Sequence, residues 1–205
     1  MLYRHPIWIN ERLSEEFMFE LLSYEKFRDT PSVRFFDITI TASNARDLVY
    51  HEGPAISPNN TPENAWQFYL HPNQEDNLLS LKGGRTFFLI NFAWETPFHI
   101  VRLEANSKIL RIPPNTFHRS ISDADGSLVL NQAVRTAKAT VHSEFRVYNS
   151  AEIPRLERII AEKMNAEKVD EKQILRHYFD RTNNRTNNTK STDPNYNYAP
   201  RNSAA

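Results

Sequence analysis

The sequence predicts a mainly β chain, an antiparallel sandwich or barrel followed by a short helical hairpin and a disordered tail. Three observations carry this. Between residues 33 and 148, short β-branched and aromatic runs recur between turn residues with no helical period; residues 151 to 180 change to helical spacing; residues 181 to 205 lose almost all aliphatic side chains. Short strands at this density without intervening helices belong to antiparallel all-β architectures.

Residues 1 to 32 read as an N-terminal arm. Within it LSEEFMFELLSYEKF (13 to 27) fits two periods: Phe17, Phe19 and Leu21 alternate as in a strand, whereas Leu13, Phe17, Leu21 and Tyr24 fit a helix, so both stay open. Ten strand candidates follow in the body at 33 to 150. They are 33 to 41, 46 to 51, 66 to 71, 77 to 82, 85 to 92, 98 to 104, 108 to 113, 118 to 122, 127 to 135 and 139 to 148. Gly83-Gly84 is a two-residue hairpin signal and Asp123 to Gly126 a further turn.

Pro154 suits the first turn of a helix, and Ile153, Leu156, Ile159, Ile160 and Met164 keep helical spacing behind it. Val169, Ile174, Leu175, Tyr178 and Phe179 repeat the pattern, so 151 to 180 reads as a helical hairpin packed on the body, with a dimer contact as the alternative. The tail from 181 to 205 carries a tandem RTNN and cannot bury enough surface to offset its ordering entropy.

Composition excludes several function classes. With no cysteine, disulfides, thiolate metal sites, iron–sulfur clusters and cysteine nucleophiles are all absent. Four glycines in 205 residues include no pair spaced for a GxGxxG turn or a phosphate-cradling loop. A formal net charge of zero argues against nucleic acid, which needs a basic surface to displace counterions. No apolar run approaches the roughly 20 residues of a membrane span. Arg4, His5 and Pro6 break the opening stretch as a signal peptide would not, so the expected location is the cytoplasm.

Two segments place polar residues where alternation would bury them: WQFYLHPNQEDNLLSLKGG at 66 to 84 and ILRIPPNTFHRSIS at 109 to 122. Gln67, Tyr69 and His71 share one parity; His118, Ser120 and Ser122 share another; Asn131 and Arg135 interrupt an apolar strand. A buried arginine needs an anionic partner, which a diphosphate or carboxylate ligand would supply; the alternative is that Arg135 ends its strand in solvent.

Across residues 66 to 135 these segments resemble the cupin superfamily, a small jelly-roll barrel whose motifs read roughly GX5HXHX3-4EX6G and GX5PXGX2HX3N. His71, Asn73, Asn77 and Gly84 take the spacing of the first motif, and Pro113, Asn115, His118 and Ser122 that of the second. The resemblance implies a jelly-roll barrel. The amides Asn73 and Asn77 stand where metal-binding cupins offer His and Glu, and amide oxygens are poor ligands for iron or zinc. Glu75 has the parity of His71, so His71, Glu75 and His118 form the metal set for Fe, Mn, Ni or Zn, while no cofactor is the leading expectation.

Among cupins the sequence looks most like the dTDP-4-dehydrorhamnose 3,5-epimerases and related sugar-nucleotide proteins, with His71, then LLSLKGGRTFFLINF at 78 to 92, then RIPPNTFHRS at 111 to 120. That resemblance implies proton abstraction next to a carbonyl of a sugar nucleotide or small metabolite, with His71 as base, His118 as its neighbour, Tyr69 or Tyr148 as acid, and a homodimer. The family's arginine before the histidine and its later lysine are absent, so the enolate stabiliser is sought in Arg85, Asn131 or Arg135. Gln67, Asn73, Asn77, Arg85, Ser120, Asn131 and Arg135 are the expected substrate contacts. Two other readings stay open: a metal-dependent oxygenase or isomerase, and a non-enzymatic protein binding a small molecule.

Overall fold

A computed structural model describes residues 18 to 166, without the side chain of Val141. Residues 1 to 17, the second helical stretch at 169 to 179 and the tail at 181 to 205 lie outside the described residues.

The strands are β1 (Glu20–Leu22), β2 (Glu25–Asp29), β3 (Arg34–Asp37), β4 (Ala45–His51), β5 (Ile56–Ser57), β6 (Gln67–Tyr69) and β7 (Gln74–Lys82). They continue with β8 (Arg85–Ile90), β9 (Phe98–Leu103), β10 (Ile109–Ile112), β11 (Phe117–Ser122), β12 (Ser127–Arg135) and β13 (Val147–Asn149). Two helices, α1 (Val141–Glu144) and α2 (Pro154–Ala166), lie near the C-terminal end. Neither is long and apolar enough to cross a membrane.

The strands form two antiparallel sheets. One has the order β1-β10-β7-β12-β4; the other runs β13-β6-β11-β8-β9, with β5 also on β11; β2 and β3 form a separate hairpin. This corrects the expected barrel. Closure requires every edge strand to find a partner, yet the first sheet ends on β1 and β4, the second on β13 and β9, and no ladder among the described residues joins them. On edge strand β4, Leu48 and Tyr50 are 66% and 67% exposed. The architecture is two open sheets packed face to face.

The chain crosses between the sheets at interior strands. Gly83-Gly84 is not a hairpin: it carries the chain from β7 in the first sheet to β8 in the second, and Asp123 to Gly126 carries it back from β11 to β12. Gly83 (φ +67°) and Gly126 (φ +77°) meet where the two crossings lie side by side, and a Cβ on Gly83 would run into the Gly126 carbonyl. Neither turn accepts a side chain.

The ambiguous segment is strand where it is described, because pairing with β10 (Leu21↔Leu110) decides what periodicity leaves open. The expected strand at 139 to 148 is instead α1 followed by β13. Thr140 explains this: its Oγ1 accepts from the Ser143 amide (3.1 Å) and its carbonyl from the Glu144 amide (3.0 Å), which starts a helical turn. Helix α2 begins at Pro154 and seats Leu156 at 0% exposure.

Leu78, Phe87, Leu89, Trp94, Val101, Leu103, Leu110, Ile112 and Val129 form one buried cluster drawn from both sheets, with Phe19 packed against it. Each such side chain contributes about 1.5–3 kcal/mol on burial. This apolar body is the scaffold for a polar cavity between the same two inner faces.

Candidate functional site

Strand alternation builds the cavity. On β11, His118 and Ser120 point inward, with His118 paired to Tyr69 of β6 and Ser120 to Phe87 of β8. On the facing sheet Asn131 of β12 lies between Asp47 of β4 and Leu78 of β7. The cavity has a volume of about 220 Å³, and its polar lining includes Tyr69, His71, Gln74, Asp76, Ser120 and Arg85.

One end is an acid–base cluster. His71 Nε2 lies 3.3 Å from Asp76 Oδ2, and His118 Nε2 lies 3.7 Å from the same oxygen. Asp76 Oδ1 accepts from Gln74 Nε2 (2.6 Å) and Asn131 Nδ2 (2.8 Å), which fixes the carboxylate. The two imidazoles stand 4.7 Å apart, and the Tyr69 ring lies beside both. All three titratable groups are buried.

Proton placement follows from these contacts. His118 Nδ1 lies 3.0 Å from the Thr116 carbonyl and must donate to it, which leaves Nε2 with its lone pair toward Asp76. His71 Nε2 is the group that donates to Asp76. Burial opposes charge on His71, but the bond and charge of Asp76, with help from Glu144, raise its pKa above the ordinary value. Burial, then the charge of His71, pushes His118 down to about 4. Asp76 loses solvation by burial, yet the two histidines and Asn131 hold it at about 2. The pKa of His71 therefore lies above that of His118, so an added proton goes to His71 first, while neutral His118 keeps its proton on Nδ1.

The other end has the opposite character. Arg85 is 3% exposed and donates from Nε (3.0 Å) and Nη2 (2.9 Å) to Ser127 Oγ, with Nη2 also reaching the Val49 carbonyl (3.3 Å). Nearby His51 bonds through Nδ1 to Ser122 Oγ (2.7 Å). Burial and then the Arg85 charge lower its pKa to about 4, so it stays neutral.

Of the residues expected from sequence, the structure brings His71, His118, Tyr69, Ser120, Asn131 and Arg85 to the cavity. The others lie elsewhere. Asn73 bonds Glu144; Asn77 bonds Glu75, the Gln132 carbonyl and Arg111; Gln67 sits in the pairing of β6 with β13. Arg135 donates to Gln74 Oε1 (2.6 Å) and pairs with Asp47 (3.2 Å). Tyr148 packs edge-on against Phe117 rather than in the lining.

Asp76, rather than Glu75, is the carboxylate beside the histidines, whereas Glu75 faces Arg111 at 3.4 Å. Strand β6 ends at Tyr69 and β7 begins at Gln74, so the intervening turn resets the parity that would have linked Glu75 to His71. The signal that could have found Asp76 is the alternation of Gln74, Asp76 and Leu78 counted from β7 itself. No comparable signal marks His51 or Phe145.

The donor set also fits a metal ion. Ligand atoms of His71, Asp76 and His118 all lie within 4.8 Å of one another. Two imidazoles and a carboxylate suit divalent iron, manganese, nickel or zinc, and the His118–Thr116 bond is the outer support that metal-bound histidines use.

No protein-family model and no curated protein matches the sequence. Among solved structures, the chain is similar to a sugar 3,4-ketoisomerase from Thermoanaerobacterium thermosaccharolyticum in complex with TDP, at 11% identity and TM-score 0.48 over 68% of this chain and 95% of that one. It is likewise similar to an rmlC epimerase from Mycobacterium tuberculosis, at 12% identity and TM-score 0.48 over 67% and 72% of the chains. A 3,4-ketoisomerase from Helicobacter canadensis gives 11% identity and TM-score 0.47 over 69% and 96%. These are likenesses of fold alone.

Proposed function

We propose that this protein is an isomerase or epimerase that moves a proton next to the carbonyl group of a small molecule held between the sheets. The observation that carries the reading is one buried carboxylate, Asp76, serving two adjacent imidazoles of unlike basicity. Neighbouring groups whose environments push their pKa values apart can act as acid and base at the same pH. His118 Nε2 accepts the proton from carbon, protonated His71 supplies one to the developing enolate oxygen, and Asp76 favours that protonated form. Net, a C–H bond breaks and an O–H bond forms; return of the proton to a different face or carbon completes the isomerisation. The roles of the two histidines are the reverse of those the family resemblance implies.

A divalent ion on His71, Asp76 and His118 would supply Lewis-acid polarisation of the same carbonyl.

The test is deuterium incorporation from heavy water into a panel of keto and aldehyde compounds, among them a 4-keto-6-deoxy sugar nucleotide, using chelator-treated wild type and Asp76→Asn. Wild type should exchange at least one compound and the variant none. Exchange no faster than in Asp76→Asn across the panel would sink the proposal.

A further inference from the structure

One charged group lining the cavity has no partner of opposite charge. Asp47, Asp76 and Arg85 face the cavity, together with His71. Asp47 is paired with Arg135 (3.2 Å) and Asp76 with His71 (3.3 Å). Arg85 has no carboxylate among the described residues, since its bonds go to one hydroxyl and one carbonyl, and its Nη1 has no hydrogen-bond partner there. His51 is neutral beside it and cannot compensate. A buried cation left in this way costs several kcal/mol unless an anion meets it.

Position gives the missing anion an orientation. Along β11 the partners of Leu89 and Arg85 are His118 and Ser122, four residues apart, so the two ends of the cavity are separated by about 13 Å of backbone. Arg85 and Asp76 are each 3% exposed, so both ends of the cavity are buried.

The structure assigns Arg85 as the binding residue for a terminal oxyanion, a carboxylate or a phosphate, of a substrate whose carbonyl lies beside His71, Asp76 and His118. A sugar nucleotide does not match this arrangement. Its charges lie between the sugar and the nucleoside, so insertion sugar first would present a neutral ring to the buried guanidinium. The assignment rests on the cavity being the substrate site proposed above. It is tested by binding rather than turnover, so its failure and that of the proton-transfer reading are told apart.

The experiment is thermal melting of the full chain at constant ionic strength, in chloride and with 10 mM inorganic phosphate, acetate or thymidine diphosphate, for wild type, Arg85→Lys and Arg85→Met. Phosphate or acetate should raise the wild-type melting temperature by about 2–4 °C, less in Arg85→Lys and not at all in Arg85→Met. The stronger of the two identifies the oxyanion. Thymidine diphosphate should give no shift that depends on Arg85. Circular dichroism of Arg85→Lys shows that lost binding is not lost folding. Equal shifts in wild type and Arg85→Met, no shift with either small anion, or an Arg85-dependent shift with thymidine diphosphate alone would overturn the assignment.

Discussion

The two ends of the cavity are built from the same strands yet treat charge in opposite ways. At the His71 end every charge has a partner: Asp76 accepts from Gln74 and Asn131 and faces both histidines. At the Arg85 end a cation is buried with only neutral acceptors. The contrast sharpens on the outer face, where Arg102, one register position from the partner of Arg85, holds Asp123 through both terminal nitrogens at 2.6 Å. Asp123 and Glu104 raise the Arg102 pKa, whereas burial lowers that of Arg85 to about 10. A cation completed by the chain is structure; a cation left incomplete in a cavity awaits a ligand.

The largest effect should come from breaking the completed end. Asp76→Asn keeps the shape but removes the charge that holds the His71 proton, and exchange should fall by about 10³-fold, within the usual range for general acid–base groups. Exchange rates within tenfold of wild type, measured alongside an unchanged circular dichroism spectrum, would remove Asp76 from the chemistry.

The two arginines should then separate in stability. Arg102→Met strands Asp123 and should cost about 2 kcal/mol in urea unfolding. Arg85→Met removes an uncompensated charge and should leave the anion-free protein no less stable than wild type. Equal losses in both variants would make Arg85 an ordinary structural arginine.

The histidines predict opposite slopes of stability with pH. For His118 the folded pKa of about 4 lies below the unfolded value near 6.5, so the unfolded chain binds the extra proton between them. Its contribution is complete above pH 6.5 and is lost as pH falls toward 4. For His71 the folded pKa is raised, so its contribution is complete below 6.5 and is lost as pH rises through the folded value. His118→Asn should flatten the acid side of a urea-melt series and keep the alkaline loss; an unchanged acid slope would contradict this.

The smallest effect is expected at Glu75, one residue from Asp76 but turned toward Arg111. Glu75→Gln should change the exchange rate by less than about threefold, as surface substitutions away from special features generally do. A loss comparable to Asp76→Asn would mean that the parity of β7 has been misassigned.

Much of this site was legible in the sequence, and the misses have separate physical causes. His71, His118, Tyr69, Ser120, Asn131 and Arg85 stand out because polar residues interrupt apolar alternation, and the structure brings them to one cavity. Asn115, which takes the glycine position of the second motif, has φ +61°, the left-handed region that asparagine tolerates. Glu75 is expected at the site because alternation is counted through a turn, and alternation holds only within one strand; Asn73 and Asn77 are placed there by motif spacing, which does not fix the direction of a side chain, and Gln67, on the strand of Tyr69, sits in the pairing with β13. The open sheets escaped notice for a further reason. Strand spacing shows that strands exist, but the crossings at Gly83-Gly84 and Asp123 to Gly126 decide which ones pair.

The most direct test is a nuclear magnetic resonance titration of the imidazole nitrogens of His71 and His118 in the chelator-treated protein, from pH 4 to 9. The account predicts that His71 titrates above 6.5 with its proton on Nε2, that His118 stays neutral with its proton on Nδ1 until the most acid points, and that Asp76→Asn abolishes the difference. Two histidines titrating together near 6.5 would contradict the acid–base pair on which the proposed function stands.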